Sequence, residues 1–307
     1  MKKRLFPFIL LLVLLISACS NGSTEKEETA NKEETESETV TYQSETGPVE
    51  VPSNPKRVVL LSGFTGNVLS LGVEVVGVDT WSKNNPTFEE ELKDVTEVSD
   101  ENLEKIIEVE PDLIIGLSTI KNLDKLQEIA PTVTYTWGKL DYLTQHVEIG
   151  KLLNKEEEAQ AWVDDFQNRA QAAGEEIRAK IGEDATVSVF EAYDKDLYVF
   201  GDNWARGTEI LYQSMNLKMP EKVKEMALKD GYYTLSTEVL SEYAGDYIVL
   251  SKYAEADTAF QETETYKNIP AVKNNHVFEM SGNGASFSDP VTLEKQLEFF
   301  KKSFLEE

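Results

Sequence analysis

From residue 42 onward, short apolar runs alternate with stretches in which apolar residues recur every three or four positions. Short apolar runs bounded by turn residues predict buried strands, and the three-to-four spacing predicts amphipathic helices. In the first half this places strands at 57–61, 73–78, 112–117 and 133–137, with helices at 67–71, 102–109 and 123–129 between them. The stretch 156–181 has no proline and one glycine, and Trp162, Phe166, Ala170, Ala173, Ile177 and Ile181 fall on one face. It predicts a single helix, about 39 Å long at 1.5 Å per residue. Alternation then resumes, with strands at 186–190, 198–200, 246–250 and 276–280 and helices at 208–215 and 293–305. The expected fold class is α/β: two α/β lobes, residues 42–155 and 183–307, joined by one long rigid helix over 156–182.

An internal repeat supports the two lobes. The segment from Glu104 to Ile115 matches that from Glu238 to Val249 in type and spacing: a glutamate in the first turn of a helix, then a turn, then Asp112 or Asp246 opening an apolar strand. A first-turn glutamate complements the helix dipole wherever it occurs. Two in equivalent places on pseudo-symmetric lobes present one carboxylate each on the same face, and this predicts a paired docking role for Glu104 and Glu238.

The N-terminus adds an address. Met1-Lys2-Lys3-Arg4 is basic, and residues 5–16 are almost unbroken apolar. Twelve residues are too few to span a bilayer, which needs about 20, so residues 1–18 read as a signal peptide. Ile16-Ser17-Ala18-Cys19 resembles the bacterial lipobox, and Cys19 is the one cysteine of the chain. The expectation is a lipidated Cys19 that anchors the protein on the extracellular face of a cell membrane, of Gram-positive type. Residues 19–41 carry seven glutamates, with no aromatic residue, and read as an acidic disordered tether.

Composition narrows the partners. The 307 residues hold 30 Lys+Arg against 56 Asp+Glu, for a net charge of −26. Binding a polyanion needs a basic patch, and none is present, so nucleic acid is set aside. One cysteine makes neither an internal disulfide nor a thiolate metal cluster. HExxH, GxSxG and GxxxxGK[ST] are all missing, and His146 and His276 stand without sequence-local acidic or thiol partners. No enzyme, cofactor or protein-bound metal is expected. What the chain does offer is aromatic residues at loop positions, where an α/β scaffold places its site: Phe64, Trp81 and Trp137 in the first half, and Tyr198, Trp204 and Phe287 in the second. Trp204 and Arg206 share one glycine-bounded turn, Gly201 to Gly207, and a Trp and an Arg there cannot both be core.

The segments Leu197 to Glu209 and Tyr243 to Val249 resemble the ferric-hydroxamate (ferrichrome/ferrioxamine) binding lipoproteins of Gram-positive ABC importers. Asn54 to Val59, Pro111 to Ile115 and Ile129 to Val133 are similar to motifs of the wider iron-siderophore binding family. The resemblance implies the two-lobe fold of a class III periplasmic binding protein, a monomer, with the siderophore between the lobes and an ABC permease with its ATPase as partner. It implies that Tyr198 and Trp204 pack on the ligand and that Arg206 donates hydrogen bonds to the iron-coordinating oxygens. Trp137 falls where relatives carry Tyr, Phe287 where they often have Tyr or Trp, and Ala205 where they often have Gly. Glu104 and Glu238 match the two glutamates that pair with permease arginines. Iron would be held by the siderophore. A neutral tris-hydroxamate needs aromatic faces and one Arg fork, whereas a tris-catecholate with roughly three negative charges calls for several cations. A hydroxycarboxylate siderophore, ferric citrate, haem or a corrinoid is the alternative cargo, and a surface interaction protein without transport the more remote one.

Overall fold

The computed structural model describes residues 38–306. The signal peptide, Cys19 and most of the tether lie outside these residues. Regular structure is already present ahead of residue 42, because strand β1 (Thr39–Ser44) pairs antiparallel with β2 (Gly47–Pro52). The last residues assigned to the tether are therefore strand. Tyr42 anchors this hairpin to the first lobe by packing into its core, with its hydroxyl bonded to Glu148 and Tyr135.

The first lobe is a five-stranded parallel sheet built from β3 (Val58–Leu61), β4 (Val75–Val78), β5 (Thr96–Glu97), β6 (Leu113–Leu117) and β7 (Thr132–Tyr135), in the order β5-β4-β3-β6-β7. All four residues of β3 and all four of β7 are buried, as expected of strands covered by helices on both faces. The second lobe contains β8 (Val187–Tyr193), β9 (Asp196–Phe200), β10 (Tyr232–Leu235), β11 (Tyr247–Lys252) and β12 (Val277–Ser281), ordered β10-β9-β8-β11-β12. Here β9 runs antiparallel to both of its neighbours, and the other pairings are parallel.

The internal repeat has a concrete basis. Asp112 opens β6 and accepts hydrogen bonds from the backbone of Lys56 and Arg57 ahead of β3, at 2.7 and 3.0 Å. Asp246 opens β11 and accepts from the backbone of Thr186 ahead of β8, at 2.8 Å. In each lobe one carboxylate ties together the starts of two adjacent parallel strands. Arg57 donates to the carbonyls of Val109 and Glu110, capping the end of the helix Leu103–Glu108.

The interlobe helix spans Glu156–Ile181, with three glutamates in its first turn and Arg178 and Lys180 in its last, each on the favourable end of the dipole. Its buried face, Val163, Phe166, Ala170, Ala173 and Ile177, packs into the second-lobe core. The C-terminal helix Pro290–Leu305 also reaches the first lobe. Its cap, Asp289, lies so close to Gly66 that a Cβ there would overlap the carboxylate. Lys295 donates to the Thr87 carbonyl at 2.7 Å, and Thr87 donates to the Gly284 carbonyl at 2.9 Å. The lobes are thus fixed to one another at several points around the helix.

His146 sits in the helix Tyr142–Leu152, edge-on to Trp162 of the interlobe helix. Asn67 Nδ2 lies 3.3 Å from its Nδ1, and its Nε2 is buried with no hydrogen-bond partner among the described residues. Burial pushes its pKa from 6.5 down to about 4. A base held below its unfolded value contributes stability that is present above pH 6.5 and is lost as pH falls toward 4. At pH 4.5 the loss is about 2–3 kcal/mol. Buried Asp289, pushed up to about 6, has the opposite sign. Urea midpoints of wild type and His146→Gln across this range isolate the histidine: the wild type is expected to lose more stability than the variant on acidification, and parallel curves would contradict the assignment.

Candidate ligand-binding site

Phe64 and Trp81 follow the carboxyl ends of β3 and β4, Trp137 follows β7, Tyr193 ends β8 and Tyr253 follows β11. Side chains from both lobes therefore meet at the carboxyl edges of the two sheets, where open α/β sheets place ligands. The most exposed aromatics here are the two tryptophans, Trp81 (56% exposed) and Trp137 (58%). Trp137 reaches across the cleft to Trp204 of the second lobe, with ring centroids 6.4 Å apart in an edge-to-face arrangement.

Trp204 divides the cleft into two chambers. One, of about 330 Å³, has walls of Trp81, Tyr193, Tyr198, Phe200, Tyr232 and Tyr253, with the Arg206–Glu191 pair among them. The other, of about 510 Å³, lies under Trp137, Phe64 and Tyr142, with Asp202, Gln145 and Glu209 on its walls. A larger hollow of about 880 Å³ runs along exposed Gln160, Gln167 and Asn168 of the interlobe helix. Its one aromatic residue is Tyr142, and it meets the cleft only at Asp141, Tyr142 and Gln213.

Sheet register explains the aromatic chamber. Tyr232 of β10 pairs with Phe200 of β9, and Tyr198 is diagonal to it on the same face. Tyr198 and Tyr232 meet edge to face at 5.9 Å, and Trp204 lies 5.3 Å from Tyr232. The turn that carries Trp204 is unusual: Ala205 (φ 57°), Arg206 (φ 56°) and Gly207 (φ 80°) all lie in the left-handed region. For the two non-glycine residues this costs of order 1–3 kcal/mol each, and surrounding bonds must hold it. Trp204 N donates to Thr208 Oγ1, Ala205 N to Glu209 Oε1 and Arg206 N to the Ala285 carbonyl, at 3.0, 3.0 and 2.8 Å. Glu209 is itself buried, which pushes its carboxyl pKa up. The helix after it, Glu209–Ser214, is a π-helix rather than the α-helix expected over 208–215.

Arg206 is where the geometry departs most from expectation. Its guanidinium lies 5.0 Å over the Phe200 ring and is held by Glu191, with Nε 2.7 Å from Oε2 and Nη2 2.9 Å from Oε1. Glu191 is 3% exposed and also accepts from Ser251 Oγ at 2.8 Å. Nη2 further contacts Tyr253 Oη at 3.5 Å and Nη1 the Trp204 carbonyl at 3.3 Å. An arginine has five N–H donors, so one, on Nη1, remains for a ligand. The positive charge is neutralised within the protein.

Of the residues singled out from sequence, Trp81, Tyr198, Trp204, Arg206 and Trp137 line the two chambers. Phe64 is core, edge-on to Tyr135, with one side on the second chamber. Phe287 corrects the expectation: it lines neither chamber but stacks on Phe88 at 6.0 Å against the first-lobe core. Glu104 and Glu238 are exposed, each in the first turn of its helix, and for Glu238 that helix is the 3₁₀ turn Thr237–Val239. Tyr193, Tyr232, Tyr253 and Glu191 escaped sequence reading. Glu191 alone carried a signal, as an acidic residue inside an otherwise apolar strand. Among the described residues no three His, Cys, Asp or Glu side chains converge on a metal position.

Comparison with known proteins follows the same lines. The sequence matches the family described as Periplasmic binding protein over residues 58–283. It is 37% identical over 303 residues to the iron(3+)-hydroxamate-binding protein FhuD of Bacillus subtilis (strain 168), covering 96% of this chain and 95% of that one. FhuD2 from Staphylococcus aureus, solved with bound ferrioxamine B, matches with a TM-score of 0.78 at 34% identity, over 82% of this chain and 99% of that chain. The FhuD protein from S. pseudintermedius gives 0.79 at 33% identity, over 88% and 99%. With two α/β lobes, a single connecting helix and an aromatic cleft between them, the chain belongs to the periplasmic binding protein family.

Proposed function

We propose that this chain is the siderophore-binding component of an ABC importer, capturing a ferric siderophore of hydroxamate type between its lobes and delivering it to a membrane permease for iron uptake. The observation that carries the reading is the aromatic chamber, whose one cation among the described residues, Arg206, is already neutralised by Glu191. Aromatic faces and one spare N–H suit a neutral ferric tris-hydroxamate. A chelate with several negative charges would meet no uncompensated cation and two buried carboxyls, Glu191 and Glu209. The same argument disfavours ferric citrate and catecholates. The relatives' names, and the ferrioxamine B held by the staphylococcal protein, point the same way.

The activity is capture and handover, and no bond is made or broken. The several interlobe contacts favour a small closing motion about the helix. Lipidation at Cys19 would keep the protein at the membrane. Glu104 and Glu238, one per lobe, would pair with permease arginines. Replacing both by Ala is expected to abolish iron uptake in cells while leaving siderophore affinity of the purified protein within about twofold, since neither residue lines the cleft. Normal uptake by the double variant would defeat the docking assignment.

A further inference from the structure

The hairpin β1–β2 lines neither chamber, yet its tip touches the loop that presents Trp137. Register closes the hairpin with Ser44 opposite Gly47, so Glu45 and Thr46 form a two-residue turn. A charged side chain at such a tip ordinarily sits in solvent, but that of Glu45 is 16% exposed. Its carboxylate faces the loop after β7: Lys139 Nζ lies 3.3 Å from Oε2, and Thr136 donates to the same carboxylate. Burial by itself would raise the Glu45 carboxyl pKa, but the bonds from Thr136 and Lys139 hold it below its ordinary value. These two residues stand on either side of Trp137 in the chain.

The loop depends on few bonds among the described residues. Residues 136–139 are all exposed, and Gly138 has φ 72°. The turn is closed by Lys139 N donating to the Thr136 carbonyl at 3.2 Å, and Thr136 reaches Ser118, just after β6, at 3.3 Å. With Trp137 more than half exposed, packing does little to fix its ring, so the bonds made by its neighbours set its place. The hairpin grips this stretch at a second point, where the Tyr42 hydroxyl meets that of Tyr135 at 3.1 Å, and Tyr135 is edge-on to Phe64 on the second chamber. Resting on the siderophore reading, we infer that Glu45 is a positioning residue for ligand capture, holding Trp137 opposite Trp204 through Thr136 and Lys139. The free protein then already carries its aromatic wall, and the ordering cost at binding is reduced. The N-terminal hairpin is thereby part of the binding apparatus as well as the end of the tether.

A double-mutant cycle tests this, by isothermal titration of ferrioxamine B into the full-length protein. Glu45→Ala is expected to weaken binding about fivefold, the scale of one side chain left to be ordered by the ligand. Glu45→Gln keeps an acceptor for Thr136 and should stay within about twofold of wild type. In a Trp137→Ala background the effect of Glu45→Ala should shrink to within about 1.5-fold, because the residue acts through that ring. The melting temperature of Glu45→Ala should stay within about 2 °C of wild type, since the pair lies at the surface. Wild-type affinity in Glu45→Ala, or an equal loss with and without Trp137, would overturn the inference while leaving the siderophore reading in place. Failure of the wild type itself to bind ferrioxamine B would instead defeat that reading.

Discussion

Arg206→Ala is expected to lower the stability of the unliganded protein by about 3 kcal/mol or more, before any ligand is considered. Removing the guanidinium strands the Glu191 carboxylate, 3% exposed, with only the Ser251 hydroxyl to solvate it. Breaking a buried pair from one side costs about 3–5 kcal/mol, because the remaining charge is uncompensated. The contact over Phe200 goes as well, worth about 0.5–1 kcal/mol. For a chain of this size the melting temperature should fall by roughly 10 °C. Adding Glu191→Gln to the same variant removes the stranded charge and is expected to recover at least half of the loss. A melting temperature within about 1 °C of wild type for Arg206→Ala would show that the pair is not a buried structural unit. On the ligand side, an anionic chelate should suffer from this variant much more than a neutral hydroxamate, which loses one hydrogen bond.

Trp204→Ala should have the converse profile, with a large loss of ligand affinity and a small loss of stability. Trp204 is largely buried, lines both chambers, and is the second-lobe partner of Trp137 across the cleft. Buried aromatic anchors at the centre of a site commonly contribute about 2–4 kcal/mol, so siderophore affinity should fall about 100-fold. Trp204→Phe keeps a ring in the same turn and should lie within about tenfold of wild type. Isothermal titration with ferrioxamine B and ferrichrome measures both. Unchanged affinity in the alanine variant would place the ligand elsewhere than between Trp137 and Trp204.

Much of the scaffold was legible because parallel strands covered on both faces must be apolar throughout. The strands β3, β6 and β7 were located within about two residues, and the interlobe helix at both ends. The helix Tyr142–Leu152 was not found, although Asp141 is a good cap. Its buried face is made in part by His146 and Gly150, which interrupt the apolar period. The strand β10 was missed for a related reason: Tyr232, Tyr233 and Thr234 are exposed on a sheet edge and show no buried run. In the site, Trp204, Arg206 and Tyr198 were legible because they lie within one short segment around a glycine-bounded turn. Tyr193, Tyr232 and Tyr253 come from three other strands or their ends, and only the order β10-β9-β8-β11-β12 brings them together. Ala205 belongs to the same lesson. The resemblance favours glycine there, and its φ of 57° supplies the physical reason.

The most direct test of the central claim is a titration of the protein with ferrioxamine B, ferrichrome, a ferric catecholate and ferric citrate, followed by tryptophan fluorescence. Trp81, Trp137 and Trp204 all line the cleft, so a bound ferric chelate should quench them strongly. Saturable, submicromolar quenching by the two hydroxamates, with none from the catecholate or citrate, is the predicted result. Equally tight quenching by either anionic chelate, or no quenching by any of the four, would contradict the account.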